Sequence, residues 1–331
     1  MGHCGRQLHE RQSWLRWLAP RVIYQHPLAY LLGLEGIALL RAWAGDFDEA
    51  FVEARLREVR ALLEDERLAS HPGVHVWPGD VETGYRQWAS TYDGEPRNGL
   101  FDIEEPVMHE ILDALPPGRA VDAACGTGRY TAHLADKGHA VVGVDNSADM
   151  LAVARARLPH SDFLAGSLDN LPMPDNSADL IVCALALAHV PELGVVMAEF
   201  ARVLRLRGHL VISDAHHELI FRGSVVRALT ATGEPGLAAT YPHTPGDFLR
   251  AALPVGFQVC CCEEPRGSRS HDEPAPSPAA PTDVPLGTWH EWPWTLLPVI
   301  PDAARAAWAT PSVVIWDFEL RPIGPTAKSS R

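Results

Sequence analysis

The chain has 331 residues, which is long enough for about two structural units with buried cores. Hydrophobic residues make up 47% of the chain and charged residues 21%, a composition that is typical of globular proteins and excludes a wholly disordered chain. The formal net charge is −14. Because such a surface repels a phosphate backbone, nucleic acid is not expected as a partner.

The cysteines and the apolar stretches indicate the cellular compartment of the protein. Cys260, Cys261 and Cys262 are consecutive, and neighbours on a strand point to opposite faces, so we expect free thiols. No C-x-x-C occurs, and no metal site is predicted. The apolar stretch 28–40 carries a glutamate and is too short to span a bilayer, so it is expected to form a buried helix. Without a recognisable signal peptide, the sequence predicts a cytoplasmic protein that does not bind a membrane.

The N-terminal part of the chain has a helical pattern from about residue 12 to residue 70. Val52, Leu56, Val59 and Leu63 fall on one face at helical spacing. This pattern predicts an N-terminal helical cap, whose helices offer a surface for a homodimer. A turn-rich stretch follows at 71–80, and then a helix at about 103–115.

Short apolar runs then alternate with helical patterns. This alternation predicts an α/β fold, namely a Rossmann-like, doubly wound, mostly parallel sheet of about seven strands. The predicted strands are 120–124, 140–144, 179–183 and 209–213, with a closing pair at 257–262 and 311–320.

These patterns divide the chain into two predicted domains. Residues 1–98 are expected to form the helical cap and a lid segment, and residues 99–331 the Rossmann-like domain. A Pro-rich insertion is expected at about 266–310 within the second domain.

The first strand of the sheet runs into a glycine-rich turn, Asp122-Ala-Ala-Cys-Gly-Thr-Gly128. Asp145 stands 19 residues after Gly126, at the end of the second strand, where a carboxylate can accept both hydroxyls of a ribose. Together these features indicate an adenosine-containing ligand. A dinucleotide is disfavoured because Thr131 occupies the position of the third glycine, and because Asp122 suits a cationic amino-acid portion better than a diphosphate.

Four motifs in order, over roughly 85–215, resemble the class I S-adenosylmethionine-dependent methyltransferases of the ubiquinone/menaquinone-biosynthesis type. They are Ala120-Val-Asp-Ala-Ala-Cys-Gly-Thr-Gly128, Gly143-Val-Asp-Asn-Ser-Ala-Asp-Met-Leu151, Asp169-Asn-Leu-Pro-Met-Pro-Asp-Asn-Ser-Ala-Asp179, and His189-Val-Pro-Glu192 followed by Glu199-Phe-Ala-Arg-Val-Leu-Arg-Leu-Arg-Gly-His-Leu210.

The resemblance implies a cofactor site for S-adenosylmethionine, with S-adenosylhomocysteine as product. Gly126 and Gly128 would border the methionine part, Asp145 would hold the ribose and Met150 would cover the adenine. The full implied set is Tyr85, Tyr92, Asp122, Ala124, Gly126, Gly128, Asp145, Asn146, Met150, Ser167, Leu168 and Ala184.

Two positions depart from the family pattern. Ala124 replaces the usual first glycine of the loop, and Ser167 stands where the family commonly has Asp. Alanine still allows a close turn. The serine weakens recognition of the adenine amino group, although a hydroxyl oxygen can accept that hydrogen bond. For Asp122 and Asp145, simple capping of the following helices is the alternative role.

Tyr85 and Tyr92 resemble the family's mobile segment that folds over the cofactor; the alternative is an amphipathic helix that buries Trp88 and Tyr92. His189 follows the fourth strand at the carboxyl edge of the sheet, where substrates of open sheets bind. It is expected to act as a general base; the alternative is a purely structural histidine.

Further candidates lie after residue 215. His216 and His217 are alternative catalytic residues. Trp289, Trp292 and Trp294 either line an acceptor pocket or seal a core.

The resemblance implies direct in-line methyl transfer to a small, fairly apolar acceptor, enclosed by the cap and the insertion. A natural product or secondary metabolite is the expected acceptor class. Three alternatives stay open: a non-methylating cyclase with bound S-adenosylmethionine, an NAD-dependent oxidoreductase, and a cofactor-binding assembly subunit.

Overall fold

The computed structural model describes residues 22–89, 92–94, 98–230, 232–266 and 284–322. The described helices are α1 (Pro27–Trp43), α2 (Glu49–Glu64), α3 (Glu66–Ala69), α4 (Val81–Trp88), α5 (Gly99–Asp113), α6 (Arg129–Asp136), α7 (Ala148–Arg157), α8 (Leu193–Val203), α9 (His217–Phe221), α10 (Pro245–Ala252) and α11 (Pro301–Trp308). The described strands are β1 (Ile23–Gln25), β2 (Val74–Gly79), β3 (Arg119–Ala123), β4 (Ala140–Asp145), β5 (Asp162–Ala165), β6 (Ala178–Ala184), β7 (Leu204–Ala215), β8 (Arg227–Leu229), β9 (Pro235–Ala238), β10 (Phe257–Glu263) and β11 (Val313–Leu320).

The chain divides into two compact units, each assembled from three segments. The first unit comprises residues 1–84, 226–239 and 275–307. The second comprises residues 85–225, 240–274 and 308–331. The first unit therefore takes in two segments that come late in the sequence, in addition to the N-terminal region.

The first unit combines helices with a four-stranded sheet in the order β1-β2-β9-β8. The predicted helix at 28–40 is present as α1, which begins after His26, whose ring accepts the Leu28 N–H. The turn-rich stretch 71–80, however, contains the strand β2, which the sequence analysis did not predict. Strand β2 pairs in parallel with β9, more than 150 residues later, and so distant a partner leaves no mark on the local pattern.

The buried face of α2 differs from the predicted one. Leu56 is 43% exposed and Leu63 is 55% exposed, whereas Arg55 and Leu62 are buried. The Arg55 guanidinium lies 3.6 Å from the buried carboxyl group of Glu35 on α1 and 2.7 Å from Glu58. The apolar pattern missed this face because it buries a charged side chain.

The second unit contains the predicted Rossmann-like sheet, with seven strands in the order β10-β11-β7-β6-β3-β4-β5. Strands β3 to β7 pair in parallel, and β10 and β11 close the sheet as the predicted antiparallel pair. Strand β5 is the one member of this sheet that the apolar runs did not predict, because it has four residues and only Phe163 is buried. Helices cover both faces of the sheet, so the carboxyl ends of β3, β4, β6 and β7 form one edge that positions the site.

Among the described residues, no helix is both long and apolar enough to cross a lipid bilayer.

Candidate functional site

The glycine loop leaves β3 through a series of left-handed residues. Ala124, Gly126 and Gly128 have φ angles of 58°, 53° and 83°. Gly128 is the N-cap of α6 and provides no side-chain cap, and a Cβ atom added at Gly126 would meet no atom within 4 Å. The loop therefore presents open backbone at a helix start, as a ligand that approaches the main chain requires. Ala124 adopts a left-handed conformation that glycine adopts more easily, at a cost of about 1–2 kcal/mol.

Asp145 ties the end of β4 to this loop. Its Oδ2 accepts the Gly126 N–H at 2.8 Å and its Oδ1 accepts the Ser147 N–H at 2.8 Å. Burial raises the pKa of Asp145, and these backbone hydrogen bonds oppose the shift. Ser147, rather than Asp145, caps α7. Since a carboxylate offers about four acceptor sites, Asp145 keeps accepting capacity for a ligand hydroxyl.

Asp122 is directed into the protein. It is 2% exposed, and its Oδ2 accepts the Thr131 hydroxyl at 2.6 Å. Burial raises the pKa of Asp122 to about 6. Thr131, at the position of the third glycine, thus binds the Asp122 carboxylate by a hydrogen bond. A contact of Asp122 with a ligand stays a prediction.

The residues predicted around the adenine lie after β4 and β5. Met150 is buried in the first turn of α7, Asn146 is exposed, and Leu168 packs partly against the main core. Ser167 is exposed and donates its hydroxyl proton to Asp169 Oδ1 at 2.5 Å. Asp169 therefore supplies a carboxylate beside the serine that departs from the family pattern.

Tyr85, Tyr92 and His189 come together in one cluster. The Tyr85 hydroxyl lies 3.0 Å from His189 Nε2, and the two rings meet edge to face with centroids 5.5 Å apart. The Tyr92 ring packs against the rings of Tyr85 and Phe101, at 6.1 and 5.6 Å. Burial is the main cause that raises the pKa of Tyr85 well above its usual range and that of Tyr92 to about 12. Both phenols are therefore protonated at neutral pH, and the imidazole tautomer decides which of Tyr85 and His189 donates in the hydrogen bond between them.

The connection from β6 to His189 is conformationally strained. Ala184 ends the strand, and Leu185, with φ of 53°, donates its N–H to the Ser213 carbonyl. Left-handed non-glycine residues are uncommon and often occur at functional sites. A short 3-10 helix at Leu187–His189 then carries the histidine.

Asp214 is a residue of this edge that the sequence analysis missed. It lies next to the end of β7, is 1% exposed, and its Oδ1 has no hydrogen-bond partner among the described residues. Burial raises the pKa of Asp214 to about 7. The signal was present in the sequence, because Asp214 ends an apolar strand just as Asp122 and Asp145 do.

A second missed feature is a buried ion pair beside the glycine loop. Glu104 on α5 pairs with Arg129, the residue after Gly128, and accepts the Ser213 hydroxyl proton. Arg129 also lies 2.9 Å from Glu105. Burial raises the pKa of Glu104, and the guanidinium opposes that shift. The pair fixes the start of α6 to α5.

The other candidates have contacts that favour structural roles. The His216 ring accepts the Glu218 N–H at the start of α9 and lies 2.9 Å from Glu264, and His217 is its neighbour.

The tryptophans belong to the first unit. Trp289 and Trp292 are buried and donate their indole N–H groups to Gln25 and to the Leu286 carbonyl, so they seal the core of that unit. Trp294 is 53% exposed.

Comparisons with known proteins find similarity to methyltransferases. Residues 121–212 match the family model of a methyltransferase domain. A demethylmenaquinone methyltransferase of Renibacterium salmoninarum is 35% identical over 128 residues, which cover 37% of this chain and 54% of that protein. A malonyl-[acyl-carrier protein] O-methyltransferase of Yersinia pestis is 37% identical over 145 residues, which cover 43% of this chain and 52% of that protein. The chain thus spans about half the length of these relatives.

A solved structure gives the same fold. It contains the Trm112 methyltransferase activator of Haloferax volcanii and a candidate methyltransferase, and it matches with a TM-score of 0.52 and 20% identity over 73% of this chain and 98% of that one. Residues 121–212 therefore match a methyltransferase domain, and the chain is similar to class I S-adenosylmethionine-dependent methyltransferases of the quinone-biosynthesis type, as the motifs predicted. The cofactor of this class is S-adenosylmethionine.

The residues present fit that cofactor. The backbone at Gly126 is open, and Asp145 keeps accepting capacity for a ribose. The free oxygen of Asp214 adds a buried acceptor at the same sheet edge.

Proposed function

We propose that the chain transfers a methyl group from S-adenosylmethionine to a small, fairly apolar acceptor, a natural product or secondary metabolite. The observation that carries the proposal is the arrangement of one sheet edge. There, the Gly126 N–H of the open loop donates a hydrogen bond to Asp145, and His189, which follows β6, is hydrogen-bonded to Tyr85. The relative named for demethylmenaquinone supports an apolar acceptor.

The chain's own residues would hold the cofactor in three places. The loop from Ala124 to Gly128 would border the methionine part, and Asp145 would accept the ribose hydroxyls with its remaining lone pairs. Met150 and Leu168 would cover the adenine, while Asn146 and Ser167 would line its edge. Ala184 would lie beside the reacting end.

The bound cofactor supplies an electrophilic methyl group, so the protein's main task is alignment. Holding two reactants in line in a desolvated site can lower the activation barrier by roughly 7–11 kcal/mol. Closure of Tyr85 and Tyr92 over the site would exclude water. Both rings are packed against aromatic neighbours, which supports that role.

The Tyr85–His189 pair would manage a proton when the acceptor must lose one. When the His189 proton is on Nδ1, the protonated Tyr85 phenol donates to His189 Nε2, and the phenol oxygen can accept a hydrogen bond from the methyl acceptor. His189 would then take the phenol proton as the acceptor proton moves to Tyr85. Asp214 would accept a hydrogen bond from the acceptor with its free Oδ1.

Methyl transfer is tested with a labelled cofactor. The purified chain is incubated with S-adenosylmethionine carrying an isotopically labelled methyl group and with a metabolite extract, and the products are analysed by mass spectrometry. A labelled small molecule together with S-adenosylhomocysteine supports the proposal. Cofactor binding without any labelled product in repeated extracts would favour the cyclase or the assembly subunit.

A further inference from the structure

Three neighbouring strands of the second unit bring a histidine, a cysteine and an aspartate together. His209 lies on β7, Cys260 on β10 and Asp317 on the intervening β11. One donor atom from each residue, a ring nitrogen, a thiol sulfur and a carboxylate oxygen, lies within 4.8 Å of the other two. His209 Nδ1 and Asp317 Oδ1 are 2.8 Å apart.

A bulge in β10 produces this arrangement. Val259 pairs with Phe318 and Cys261 pairs with Asp317, so Cys260 is the additional residue between two successive pairs. In a bulge, two residues of one strand stand opposite one residue of its partner. The consecutive cysteines therefore do not simply alternate between faces, and Cys260 joins Cys261 opposite Asp317.

We propose that His209, Cys260 and Asp317 form a binding site for a thiophilic divalent cation, for which Zn²⁺ is the best match. Nitrogen, sulfur and carboxylate oxygen are the ligands that Zn²⁺ takes in proteins, at about 2.0–2.3 Å. Three protein ligands with one exposed side leave a fourth position for water. Binding displaces the Cys260 thiol proton to solvent, and the sulfur then coordinates as thiolate.

The local charges favour a cation. Asp317 is buried, and Glu319 is the cross-strand partner of His209. Burial first, and then these two carboxylates, raises the pKa of the Cys260 thiol to about 11. A positive ion reverses that effect because it stabilises the thiolate directly. Arg321 balances Glu319 at 2.5 Å, which leaves Asp317 as the carboxylate available to a metal.

The site is separate from the cofactor edge. His209 pairs with Leu180 on β6, whereas the proposed cofactor contact Ala184 ends that strand four residues later. At about 3.3 Å per residue, this is roughly 13 Å along the sheet. The expected role is therefore structural: a bound ion would fasten the exposed edge strand β10 to β7 across β11.

The test is a metal titration of the untagged full chain after treatment with a chelator. Co²⁺ is added first, and a sulfur-to-cobalt charge-transfer band is followed by absorbance; Zn²⁺ is then used to displace it. One equivalent of metal, with a band, is expected for the parent. Zn²⁺ should also raise the melting temperature of the parent.

Two variants and a control decide the outcome. Cys260→Ser should abolish the cobalt band, and His209→Ala should weaken Zn²⁺ binding by at least about 100-fold, since even outer-sphere changes cost 10–100-fold. Cys262→Ser is the matched control, because Cys262 is exposed on the same strand and pairs with Trp316. It should bind like the parent. A parent that binds no stoichiometric metal, or a Cys260→Ser variant that behaves like Cys262→Ser, would overturn the proposal.

Discussion

Both units bury a carboxyl group beside an arginine, but they satisfy it differently. In the first unit, Glu35 is fully buried and Arg55 Nη1 lies 3.6 Å from its Oε1. In the second unit, Glu104 is equally buried, pairs with Arg129 and accepts a hydrogen bond from Ser213. The second arrangement is the better satisfied one.

The difference appears in the charges that surround each carboxyl group. Burial raises the pKa of Glu35 most, and the neighbouring carboxyls of Glu58 and Asp302 raise it further. Burial also raises the pKa of Glu104, but Arg129 and Ser213 oppose the shift. We infer that the pair in the second unit holds the glycine loop in place, whereas the group in the first unit makes its stability depend on pH.

The largest expected effect comes from breaking the pair in the second unit. Arg129→Met leaves Glu104 buried without its cation, which should cost about 3–5 kcal/mol in the free energy of unfolding. Urea denaturation measures this change. Arg157→Met is the control, because Arg157 is partly exposed and lies 3.4 Å from Asp93; it should shift stability by about 0.5 kcal/mol or less. Equal losses in the two variants would contradict the comparison.

The next effect concerns His189, at the edge that Arg129 supports. If His189 takes a proton from the acceptor through Tyr85, His189→Ala should lower turnover by about 100-fold while cofactor affinity stays nearly constant. The parent rate, measured with the acceptor found in the labelling experiment, should rise with pH through the imidazole range. The variant should lack that rise. A lower melting temperature with parent-like turnover and pH profile would instead show a structural histidine.

The third prediction concerns the first unit, where the protonation of Glu35 should make the free energy of unfolding depend on pH. Because the pKa of Glu35 is higher in the folded than in the unfolded chain, the folded chain holds the extra proton. The contribution of Glu35 to stability is therefore largest at low pH and falls as pH rises above the ordinary value of 4.5, by up to about 1.4 kcal/mol per pH unit. Glu35→Gln should flatten this part of the stability profile. Glu53→Gln, at an exposed site on α2, should leave it unchanged. Identical profiles for parent and Glu35→Gln would show that the carboxyl group is not protonated in the fold.

The smallest expected effect is at the glycine loop. Ala124→Gly removes a left-handed strain of about 1–2 kcal/mol but adds about 0.4–1 kcal/mol of chain entropy to the unfolded state. A net stabilisation of roughly 0.5–1 kcal/mol is expected by denaturation. Ala152→Gly, at an exposed position in the interior of α7, should destabilise by up to about 1 kcal/mol. A loss of stability in both variants would mean that Ala124 is not strained.

The sequence predicted the features that are local. The glycine loop, Asp145 and the strands of the second sheet follow from short motifs and from apolar runs bounded by turns. Each of these signals is contained in its own short stretch of sequence, so none of them requires knowledge of a distant partner. The family resemblance added roles for residues such as Met150, which are still predictions.

The features that were missed depend on distant partners. Strand β2 pairs with β9, and Glu104 pairs with Arg129. The candidate metal ligand His209 lies near Cys260 and Asp317, which are on the last two strands of the chain. No local pattern reports such pairings. Asp214 differs from these, since its position at a strand end was visible and only its unpaired oxygen required the structure.

The central claim is that the edge of the second sheet binds S-adenosylmethionine through Asp145. Calorimetric titration with S-adenosylhomocysteine tests it on the parent, on Asp145→Ala and on the control Asp162→Asn, which changes an exposed carboxylate at the start of β5. Loss of charge-assisted hydrogen bonds worth about 1.5–3 kcal/mol should weaken binding by Asp145→Ala roughly 10- to 100-fold, with the control unchanged. Parent-like binding by a folded Asp145→Ala, or no binding by the parent, would contradict the account.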